Sequence, residues 1–240
     1  MDLSKASLTE LKRELSRREK CETKPKKNLI LLGPPGSGKG TQANKILNDF
    51  CYCQIATGDL LRDHVARKTP EGIKAKEAMD KGQLVTDDIV NSIILGAIRS
   101  PQCERGIIFD GYPRNADQAE NLDRLLASEG RSLDKVIQIK VDEDELYERI
   151  EGRRIHPGSG RSYHVKFNPP KVEGIDDITG EPLIHRDDDR KEVMQSRIDV
   201  YNKKTAPISN YYGQKGLLST VGGPKMSIDD VYTSVNNLLI

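Results

Sequence analysis

Five short apolar runs recur along the chain, with helical patterns between them. The runs cover residues 28–32, 52–56, 106–110, 136–139 and 217–221. A continuous apolar run of this length is typical of a strand that is buried on both faces. Stretches 70–80, 86–99 and 116–128 carry helical patterns, and Asn115 has the position of an N-cap for the last of them. This order of strands and helices indicates an open α/β sheet.

A separate helix is predicted before the first apolar run. Residues 7–10 read Ser-Leu-Thr-Glu, which is the form of a capping box. Leu8, Leu11 and Leu15 then fall on one helical face. We interpret residues 1–26 as an appended amphipathic helix followed by a basic linker, and the sequence leaves its role open.

Residues 155–188 interrupt the alternation of strands and helices. They contain four prolines and four glycines, which exclude a long helix. Because the segment is too long for a plain connector, we predict an inserted unit of short strands and turns, a candidate lid. A long helix from about 189 to 212, carrying Arg197, is expected to follow, and Ser227 is expected to cap the last helix.

Composition narrows the range of partners. Thirty-eight basic and thirty-seven acidic residues leave a formal net charge of +1 over 240 residues, so no basic field argues for nucleic acid or an acidic membrane. This length suits one main domain with inserted units. The cysteines at 21, 51, 53 and 103 lack Cys-x-x-Cys spacing, and no secretory signal or membrane span is evident. We therefore expect reduced thiols in an intracellular protein.

Candidate chemistry begins directly after the first strand. Residues 33–41 read Gly-Pro-Pro-Gly-Ser-Gly-Lys-Gly-Thr and precede a helix predicted over 42–50. The glycines let backbone N–H groups turn inward around an anion, the helix start adds free N–H groups, and Lys39 supplies a positive charge. The stretch is typical of a polyphosphate-binding loop, although a Gly-Pro-rich segment is also compatible with a simple turn.

The loop departs from the general phosphate-loop pattern at one position. Gly40 follows Lys39, where a Ser or Thr hydroxyl normally contacts magnesium, and Thr41 comes one residue later. This favours a metal held mostly by phosphate oxygens and water. Asp110, at the end of the strand over 106–110, is the candidate for ordering that metal. A helix-capping or turn role is the alternative for this aspartate.

Four arginines are further candidates for binding anions. Arg62 follows the second strand at the edge where open α/β sheets bind ligands, and Arg114 lies four residues after Asp110. A charged helix that starts at Asp142 is predicted to hold Arg149 and Arg153, which are spaced i, i+4 and so share a face. For each of them, a solvated surface arginine is the alternative.

Four motifs in order closely resemble adenylate kinase in its long-lid form, a eukaryotic-type nucleoside monophosphate kinase. They are Gly33 to Thr41, Thr57-Gly-Asp-Leu-Leu-Arg62, Asp110-Gly-Tyr-Pro-Arg114, and Gly152-Arg-Arg-Ile-His156 followed by Tyr163 to Pro170. The resemblance runs from about Lys27 to the C-terminus and leaves only the first helix outside it.

The resemblance implies a fold and a division of the chain. The fold would be a five-stranded parallel sheet with flanking helices, the P-loop NTP hydrolase fold, with two inserted subdomains. The core would comprise residues 27–56, 86–151 and 190–240. An AMP-binding insert would span 57–85 and a lid 152–189, while residues 1–26 would form an N-terminal helical extension.

The resemblance also implies an activity, the Mg²⁺-dependent reaction ATP + AMP = 2 ADP, in adenine nucleotide homeostasis. The catalytic residues would be Lys39, Arg114, Arg149, Arg153, Arg186 and Arg197. ATP would contact Gly36, Ser37, Gly38, Lys39, Gly40, Thr41, Arg149, Arg153, Ser162, Tyr163 and Lys225. AMP would contact Thr57, Leu61, Arg62, Gln83, Leu84, Val85, Gly111, Arg114, Gln118, Arg186 and Arg197. Asp110 would order Mg²⁺ through water. We expect a cytoplasmic monomer, with the mitochondrial intermembrane space as the alternative location.

Some members of the family carry zinc in the lid on two pairs of cysteines. The corresponding positions here are His156, Ser159, Asp176 and Thr179. Ser and Thr hydroxyls are poor zinc ligands, so we predict a hydrogen-bonded cluster at these positions and no structural zinc.

Three other functions remain open from the sequence. A kinase for another monophosphate, or one that prefers GTP as donor, would have the same fold and motifs, although Thr57 and Gln118 favour AMP. A nucleotide-driven switch would need neither Arg62 nor Arg114. An interaction protein would use the N-terminal helix as its binding element.

Overall fold

The computed structural model describes residues 7–224 and 226–240. Its strands are β1 (Lys27–Leu32), β2 (Cys53–Ala56), β3 (Gly106–Asp110), β4 (Lys135–Lys140), β5 (Arg153–Ile155), β6 (Ser162–His164) and β7 (Leu218–Gly222). Five of them form one parallel sheet in the order β2-β3-β1-β4-β7, which confirms the predicted fold class. The five apolar runs correspond to these five strands.

Helices cover both faces of the sheet. They are α1 (Leu8–Glu22), α2 (Lys39–Phe50), α3 (Thr57–Ala66), α4 (Pro70–Asp80), α5 (Asp87–Ile98), α6 (Ala116–Ser128), α7 (Glu143–Glu151), α8 (Lys191–Val200), α9 (Ile208–Gln214) and α10 (Ile228–Leu239). The Asn115 side chain caps α6 by accepting a hydrogen bond from the Gln118 N–H, and Ser227 forms a capping box with Asp230 on α10, so both predicted caps are confirmed. In the described part of the chain, no helix is long and apolar enough to cross a bilayer.

The central strand shows why the apolar runs are continuous. Along β1, Leu29 and Leu31 pack into the hydrophobic core that contains α2 and α10, whereas Ile30 and Leu32 pack into the core on the opposite face. All four side chains are at most 3% exposed. Both faces of the sheet are therefore covered and excluded from solvent. The edge formed by the carboxyl ends of the strands remains as the place where a ligand can bind.

The N-terminal helix forms as predicted. Leu8 and Leu15 are 67% and 60% exposed, and among the α1 side chains that the structure describes only Cys21 is buried. The helix docks on α2 near its C-terminal end, through the bond between Cys21 and Cys51 and through the contacts of Arg17 with Leu47 and Cys51. Helical periodicity shows that an apolar stripe exists but does not identify what covers it.

The expectation of four reduced cysteines is also wrong. Cys21 is bonded to Cys51, and Cys53 is bonded to Cys103, with Cα–Cα distances of 5.7 and 4.8 Å. The pairs are 30 and 50 residues apart in sequence, and so local spacing such as Cys-x-x-Cys does not reveal them. The fold brings the C-terminal ends of α1 and α2 together, and likewise β2 and the turn before β3.

The predicted inserted unit contains the antiparallel pair β5 and β6 with further isolated bridges, for example Ile155 with Ile184. Two helical expectations next to it are wrong. Helix α7 ends at Glu151, so Arg149 and Arg153 do not share one helix face. The helix expected over 189–212 is divided into α8, a π-helical turn at Tyr201–Thr205, and α9.

Candidate active site

The glycine-rich loop wraps the end of β1 and leads into α2. Gly36 and Gly38 have φ angles of +82° and +91°, in the left-handed region that favours glycine. A Cβ atom on Gly36 would lie 2.9 Å from Cγ1 of Ile150, so a larger residue would clash as well as be strained. The loop and the start of α2 together direct backbone N–H groups toward one point, which is the arrangement that binds phosphate.

The Lys39 side chain folds back over the loop. Its Nζ atom donates to the Gly33 and Pro34 carbonyls at 2.7 and 2.8 Å. Burial lowers the pKa of Lys39 to about 8, while Asp110 opposes this change by favouring the charged form. An arriving polyphosphate would restore the full charge of the ammonium group, because a nearby anion favours the protonated lysine.

Asp110 stands at the carboxyl end of β3, facing the loop. Its Oδ2 atom accepts a hydrogen bond from Gln54 Nε2 at 3.1 Å and lies 3.8 Å from where a Cβ atom on Gly40 would be. Burial raises the pKa of the Asp110 carboxyl, although Lys39 opposes this shift. The absence of a side chain at residue 40 leaves room between the carboxylate and the start of α2.

A cleft of about 910 Å³ opens in front of these residues. It is lined by the loop, by Asp110 and by six arginines that come from separate segments of the chain. The arginines are Arg62, Arg114, Arg149, Arg153, Arg186 and Arg197. The fold therefore brings together every arginine that the sequence singled out, and their combined charge makes the cleft suitable for polyanions.

Three aspartates pair with four of these arginines. Asp59 accepts hydrogen bonds from Arg62 at 2.6 Å and from Arg186 at 2.5 Å. Asp188 pairs with Arg62 and with Arg197, each at 3.2 Å. Each carboxylate bridges two guanidinium groups, as a phosphate group with several free oxygens also would.

Asp189 completes this network as its most deeply buried carboxylate. It forms a bidentate pair with Arg153 and accepts from Arg197 at 3.1 Å, and its side chain is fully buried. The three aspartates were not singled out from the sequence. Asp59 lies inside a recognised motif and the other two follow Arg186, but acidic residues at such positions do not by themselves indicate which arginine they contact.

The titration behaviour of the cleft reflects crowding of like charges. Burial, and after it the guanidiniums of Arg197 and Arg62, lower the pKa of Arg114. Burial raises the pKa of Asp188, but Arg197, Arg62 and further arginines outweigh it and hold the carboxyl below its ordinary value. Burial and repulsion between the guanidinium groups therefore destabilise the nucleotide-free cleft, and bound anions would stabilise it.

A second, smaller pocket of about 80 Å³ adjoins the arginines. Its lining includes almost the whole predicted AMP set: Thr57, Leu61, Arg62, Gln83, Leu84, Val85, Gly111, Arg114, Gln118 and Arg197. The Thr57 hydroxyl is buried and lacks a hydrogen-bond partner among the described residues. An apolar wall with a few convergent polar groups is typical of a site for a nucleotide base.

Gln118 is already engaged within this pocket. Its Oε1 atom accepts from the Arg114 backbone N–H at 2.7 Å, and its Nε2 atom donates to Asp87 at 2.5 Å. The Arg114 guanidinium in turn donates to the Gly111 carbonyl at 2.6 Å. A Cβ atom on Gly111 would lie 2.9 Å from Arg114, so this glycine leaves space for the guanidinium. Asp87, which the sequence reasoning missed, orients the amide.

The four lid positions form the predicted hydrogen-bonded cluster. His156 contacts the Ser159 hydroxyl at 2.7 Å and the Thr179 hydroxyl at 3.3 Å, and Thr179 donates to Asp176 at 3.0 Å. Arg161 adds a bidentate pair with Asp176 at 2.8 and 2.6 Å. Hydrogen bonds to Arg161, followed by those to backbone and side-chain donors, hold the pKa of Asp176 far below its ordinary value even though burial opposes them. The cluster joins residues 156–161 to residues 176–179.

Most of the remaining predicted ATP contacts line the large cleft, but not every one of them is free to contact a ligand there. The loop residues Gly36 to Thr41, together with Ser162 and Tyr163, line the large cleft. The Tyr163 hydroxyl, however, donates to Asp176 at 2.9 Å, so it is already used within the lid. Arg186 lines the large cleft only, whereas Arg62 and Arg197 line both pockets. Lys225 lies outside the described residues.

Comparison with known proteins gives a consistent result. The sequence model of one family, described as adenylate kinase, matches residues 31–217. Adenylate kinase 4 of Oryza sativa subsp. japonica is 55% identical over 216 residues, covering 90% of this chain and 89% of the relative. Adenylate kinase 4 of Arabidopsis thaliana is 51% identical over 224 residues, covering 93% and 91%. Adenylate kinase of Carboxydothermus hydrogenoformans is 49% identical over 211 residues, covering 88% and 98%.

The parallel sheet, the phosphate loop and the arginine-lined cleft define an α/β phosphotransferase of the P-loop class. Within that class the chain belongs to the adenylate kinase family. Phosphoryl transfer between adenine nucleotides is the function of this family.

Proposed function

We propose that the protein catalyses the reversible, Mg²⁺-dependent reaction ATP + AMP = 2 ADP by direct in-line transfer, and thereby balances adenine nucleotides. The observation that carries the proposal is the single cleft in which Lys39 and the loop face the arginines of the smaller pocket. Two anions that must react with each other repel, and guanidinium groups on several sides offset that repulsion.

At the donor end, the backbone N–H groups of Gly36 to Thr41 and the Lys39 ammonium would hold the ATP phosphates. Arg149 and Arg153, with Ser162 and Tyr163, would contact the remainder of the nucleotide from the lid side. This assignment is supported by their shared position on the wall of the large cleft. Lys225, which we also assign to ATP, is proposed on the family resemblance alone.

At the acceptor end, Arg62 and Arg114 would grip the AMP phosphate, and the pocket around Thr57 would hold its adenine. The unpartnered Thr57 hydroxyl supports this role because a buried polar group without a partner is costly, and a bound base would supply one. Leu61, Gln83, Leu84, Val85, Gly111 and Gln118 complete the proposed AMP contacts.

Arg186 and Arg197 would then clamp the transferring phosphoryl group between the two nucleotides. Nucleotide phosphates would replace Asp59 and Asp188 as the partners of these guanidiniums. The acceptor is a phosphate oxygen, which is mostly ionised at neutral pH because the second phosphate pKa is about 6, so no general base is required. Catalysis would consist of positioning and charge stabilisation.

The residues at the end of β3 fit a magnesium ion. A carboxylate at Asp110, the adjacent Gln54 amide and the open space beside Gly40 provide hard oxygen donors and room for water, which Mg²⁺ prefers. Bound Mg²⁺ would neutralise charge on the ATP phosphates. Asp110 would order its water shell.

Residues 57–85 and 152–189 would act as the AMP-binding insert and the lid, around a core formed by residues 27–56, 86–151 and 190–240. Closure of the lid would exclude water, which is the competing acceptor, and lid opening would then limit turnover. The ion pair between Asp59 and Arg186 joins the proposed AMP-binding insert to the proposed lid. Residues 1–26 would be the N-terminal helical extension.

We further propose a monomer. The sequence favours a cytoplasmic location, with the mitochondrial intermembrane space as the alternative, and the structure supplies one observation that bears on this choice. The two disulfides favour an oxidising compartment over the cytosol, where thiols are normally kept reduced. Cell fractionation under rapid alkylation would test this. Recovery of fully alkylated thiols from the cytosolic fraction supports the cytoplasm, and recovery of disulfides from another fraction excludes it.

The nearest rival function is a kinase with another monophosphate acceptor or with GTP as donor. Purified protein should be given AMP, GMP, CMP and UMP with ATP and then with GTP, and diphosphate formation followed. The proposal predicts the highest kcat/KM for AMP with ATP. A higher kcat/KM for another combination of acceptor and donor would assign the function to that combination. Hydrolysis of ATP without transfer would instead indicate a nucleotide-driven switch.

A further inference from the structure

Helix α1 is attached to the core at its C-terminal end. Its Cys21 is bonded to Cys51, the residue that ends α2. Arg17 donates to the Leu47 carbonyl at 3.4 Å, and Arg105 donates to the Cys21 carbonyl. The exposed leucines described above contribute little to docking. The attachment of α1 therefore depends on one covalent bond and a few polar contacts.

The guanidinium group of Arg17 contacts this disulfide. Arg17 Nη1 lies 2.8 Å from Cys51 Sγ. A guanidinium beside a sulfur atom stabilises the thiolate over the thiol, and a stabilised thiolate is a better leaving group in thiol–disulfide exchange. The guanidinium is held in place by Glu14, whose pKa its hydrogen bonds lower to about 2.

The second disulfide lies in a different environment. Cys103 is 4% exposed and belongs to the hydrophobic core beside the sheet, and Cys53, which is half-buried like Cys51, packs against the same core. The nearby Arg131 donates to the Cys103 backbone carbonyl, at 2.8 Å, and not to the sulfur. Burial in an apolar environment disfavours the thiolate. The two disulfides should therefore differ in how easily they are reduced.

Access also differs within the first pair. Cys21 is 1% exposed, whereas Cys51 is only half-buried at the end of α2. An incoming thiolate would reach Cys51 more easily and would be attracted by the Arg17 guanidinium. This end of α2 lies about 18 Å from the phosphate loop, since the helix has 12 residues. Exchange here would therefore not require the cleft to be empty.

We propose that Cys21–Cys51 is a thiol–disulfide exchange site for a dithiol reductant, and that its reduction releases α1 from the core. The reductant thiolate attacks Cys51 Sγ, the bond to Cys21 breaks, and Cys21 leaves as a thiolate that takes a proton from water. The second thiolate of the reductant then attacks the mixed disulfide, and Cys51 leaves beside Arg17. The reductant is oxidised to its own disulfide, and the two cysteines gain two electrons.

The first test measures the two pairs separately in the full chain. Air-oxidised protein is equilibrated with mixtures of reduced and oxidised dithiothreitol, alkylated, and analysed by peptide mass spectrometry. We expect the Cys21–Cys51 pair to open at a reduced-to-oxidised ratio roughly tenfold lower than the Cys53–Cys103 pair. Opening of both pairs at one ratio, or absence of the Cys21–Cys51 linkage from oxidised protein, would overturn the proposal.

Arg17→Met and Arg18→Met provide a matched pair of variants. Both arginines donate to Glu14 at 2.8 Å, but only Arg17 contacts the sulfur. Arg17→Met should raise the ratio needed to open Cys21–Cys51 several-fold, while Arg18→Met should leave it unchanged. Equal shifts in both variants would show that the guanidinium at Cys51 plays no part in the exchange.

The second test asks whether reduction releases the helix. Trypsin can cut α1 at its many basic residues, and cleavage requires local unfolding. Oxidised protein should resist cleavage within α1, whereas protein reduced only at Cys21–Cys51, and the Cys21→Ser variant in either redox state, should be cut there several-fold faster. If Cys21→Ser were cut no faster than oxidised wild type, the disulfide would not hold the helix.

Discussion

Arg186 and Asp59 form an ion pair of 2.5 Å that joins the segment before α8 to the first turn of α3. The same carboxylate pairs with Arg62, so that one aspartate holds two of the proposed phosphate-binding arginines. The protein's own carboxylates thus occupy guanidinium positions that substrate phosphates are proposed to use. Nucleotide binding would exchange one set of anions for another.

Loss of this carboxylate provides the first prediction. Asp59→Asn leaves Arg62 and Arg186 without their shared partner, so the nucleotide-free protein should lose about 1 kcal/mol of stability. Inorganic pyrophosphate should then bind several-fold more tightly because no internal anion competes with it. Thermal denaturation with and without pyrophosphate measures both effects. Asp63→Asn, which breaks an exposed pair with Arg67 on the same helix, is the control and should change neither.

The second prediction concerns the pH dependence of activity. The Lys39 ammonium has a pKa of about 8 in the nucleotide-free protein because it is buried, and so it loses its charge as the pH rises above 8. Since kcat/KM reports the ionisation of the free enzyme, kcat/KM for ATP should fall above pH 8. The fall in kcat should occur at higher pH, because bound phosphate favours the charged form. Lys39→Arg should remove the decline near pH 8, and persistence of the decline would assign it to another group.

The same shift predicts an effect on stability. Between pH 8 and 10.5 the unfolded chain binds more protons at Lys39 than the folded chain, so the stability associated with this residue rises with pH across that window. Relative to wild type, Lys39→Met should therefore be more stable at pH 7 than at pH 10, by about 2 kcal/mol. Urea denaturation at both pH values measures the difference. Lys45→Met, whose lysine pairs with Asp229, should show no such pH dependence.

Arg114 supplies the third prediction. Its guanidinium lies where the two pockets meet, so Arg114→Ala should lower kcat/KM for AMP by about 10³-fold while the protein folds normally. Steady-state kinetics with a circular dichroism spectrum of the variant measures this. The exposed Arg124 on α6 provides a control, because Arg124→Ala should retain full activity. Near-complete activity of Arg114→Ala would remove this residue from the mechanism.

The buried hydroxyl of Thr57 gives the fourth prediction. Because this hydroxyl has no partner among the described residues, Thr57→Val should leave the stability of the nucleotide-free protein unchanged or raise it. The same change should lower kcat/KM for AMP by roughly fivefold, since a hydrogen bond contributes about 1 kcal/mol. Thr57→Ser keeps the hydroxyl and should retain AMP preference. A large loss of stability in Thr57→Val would indicate a structural role.

The sequence predicts the parts of this structure that depend on local pattern. The five strands are continuous apolar runs because both faces of the sheet are covered, and the caps at Asn115 and Ser227 involve side chains that bond within three residues. The phosphate loop is equally local, since its glycines and Lys39 act within nine consecutive residues. Each of these features is therefore readable from a short window.

Other features depend on contacts between distant segments and were not predicted. The disulfides join residues 30 and 50 positions apart, and Asp59 meets Arg186 across 127 positions. Leu15 of α1 is exposed, and helical periodicity alone does not show which face of a helix becomes covered. The end of α7 at Glu151 separates Arg149 from Arg153, although their spacing alone suggested one helix face.

The most direct test of the proposed mechanism is whether two nucleotides occupy one chain together. In equilibrium dialysis, protein saturated with a non-hydrolysable ATP analogue and Mg²⁺ is exposed to labelled AMP. The mechanism predicts one AMP bound for each analogue retained, and Arg114→Ala should lose the AMP while keeping the analogue. Competitive displacement, with a total of one nucleotide per chain at every AMP concentration, would contradict it.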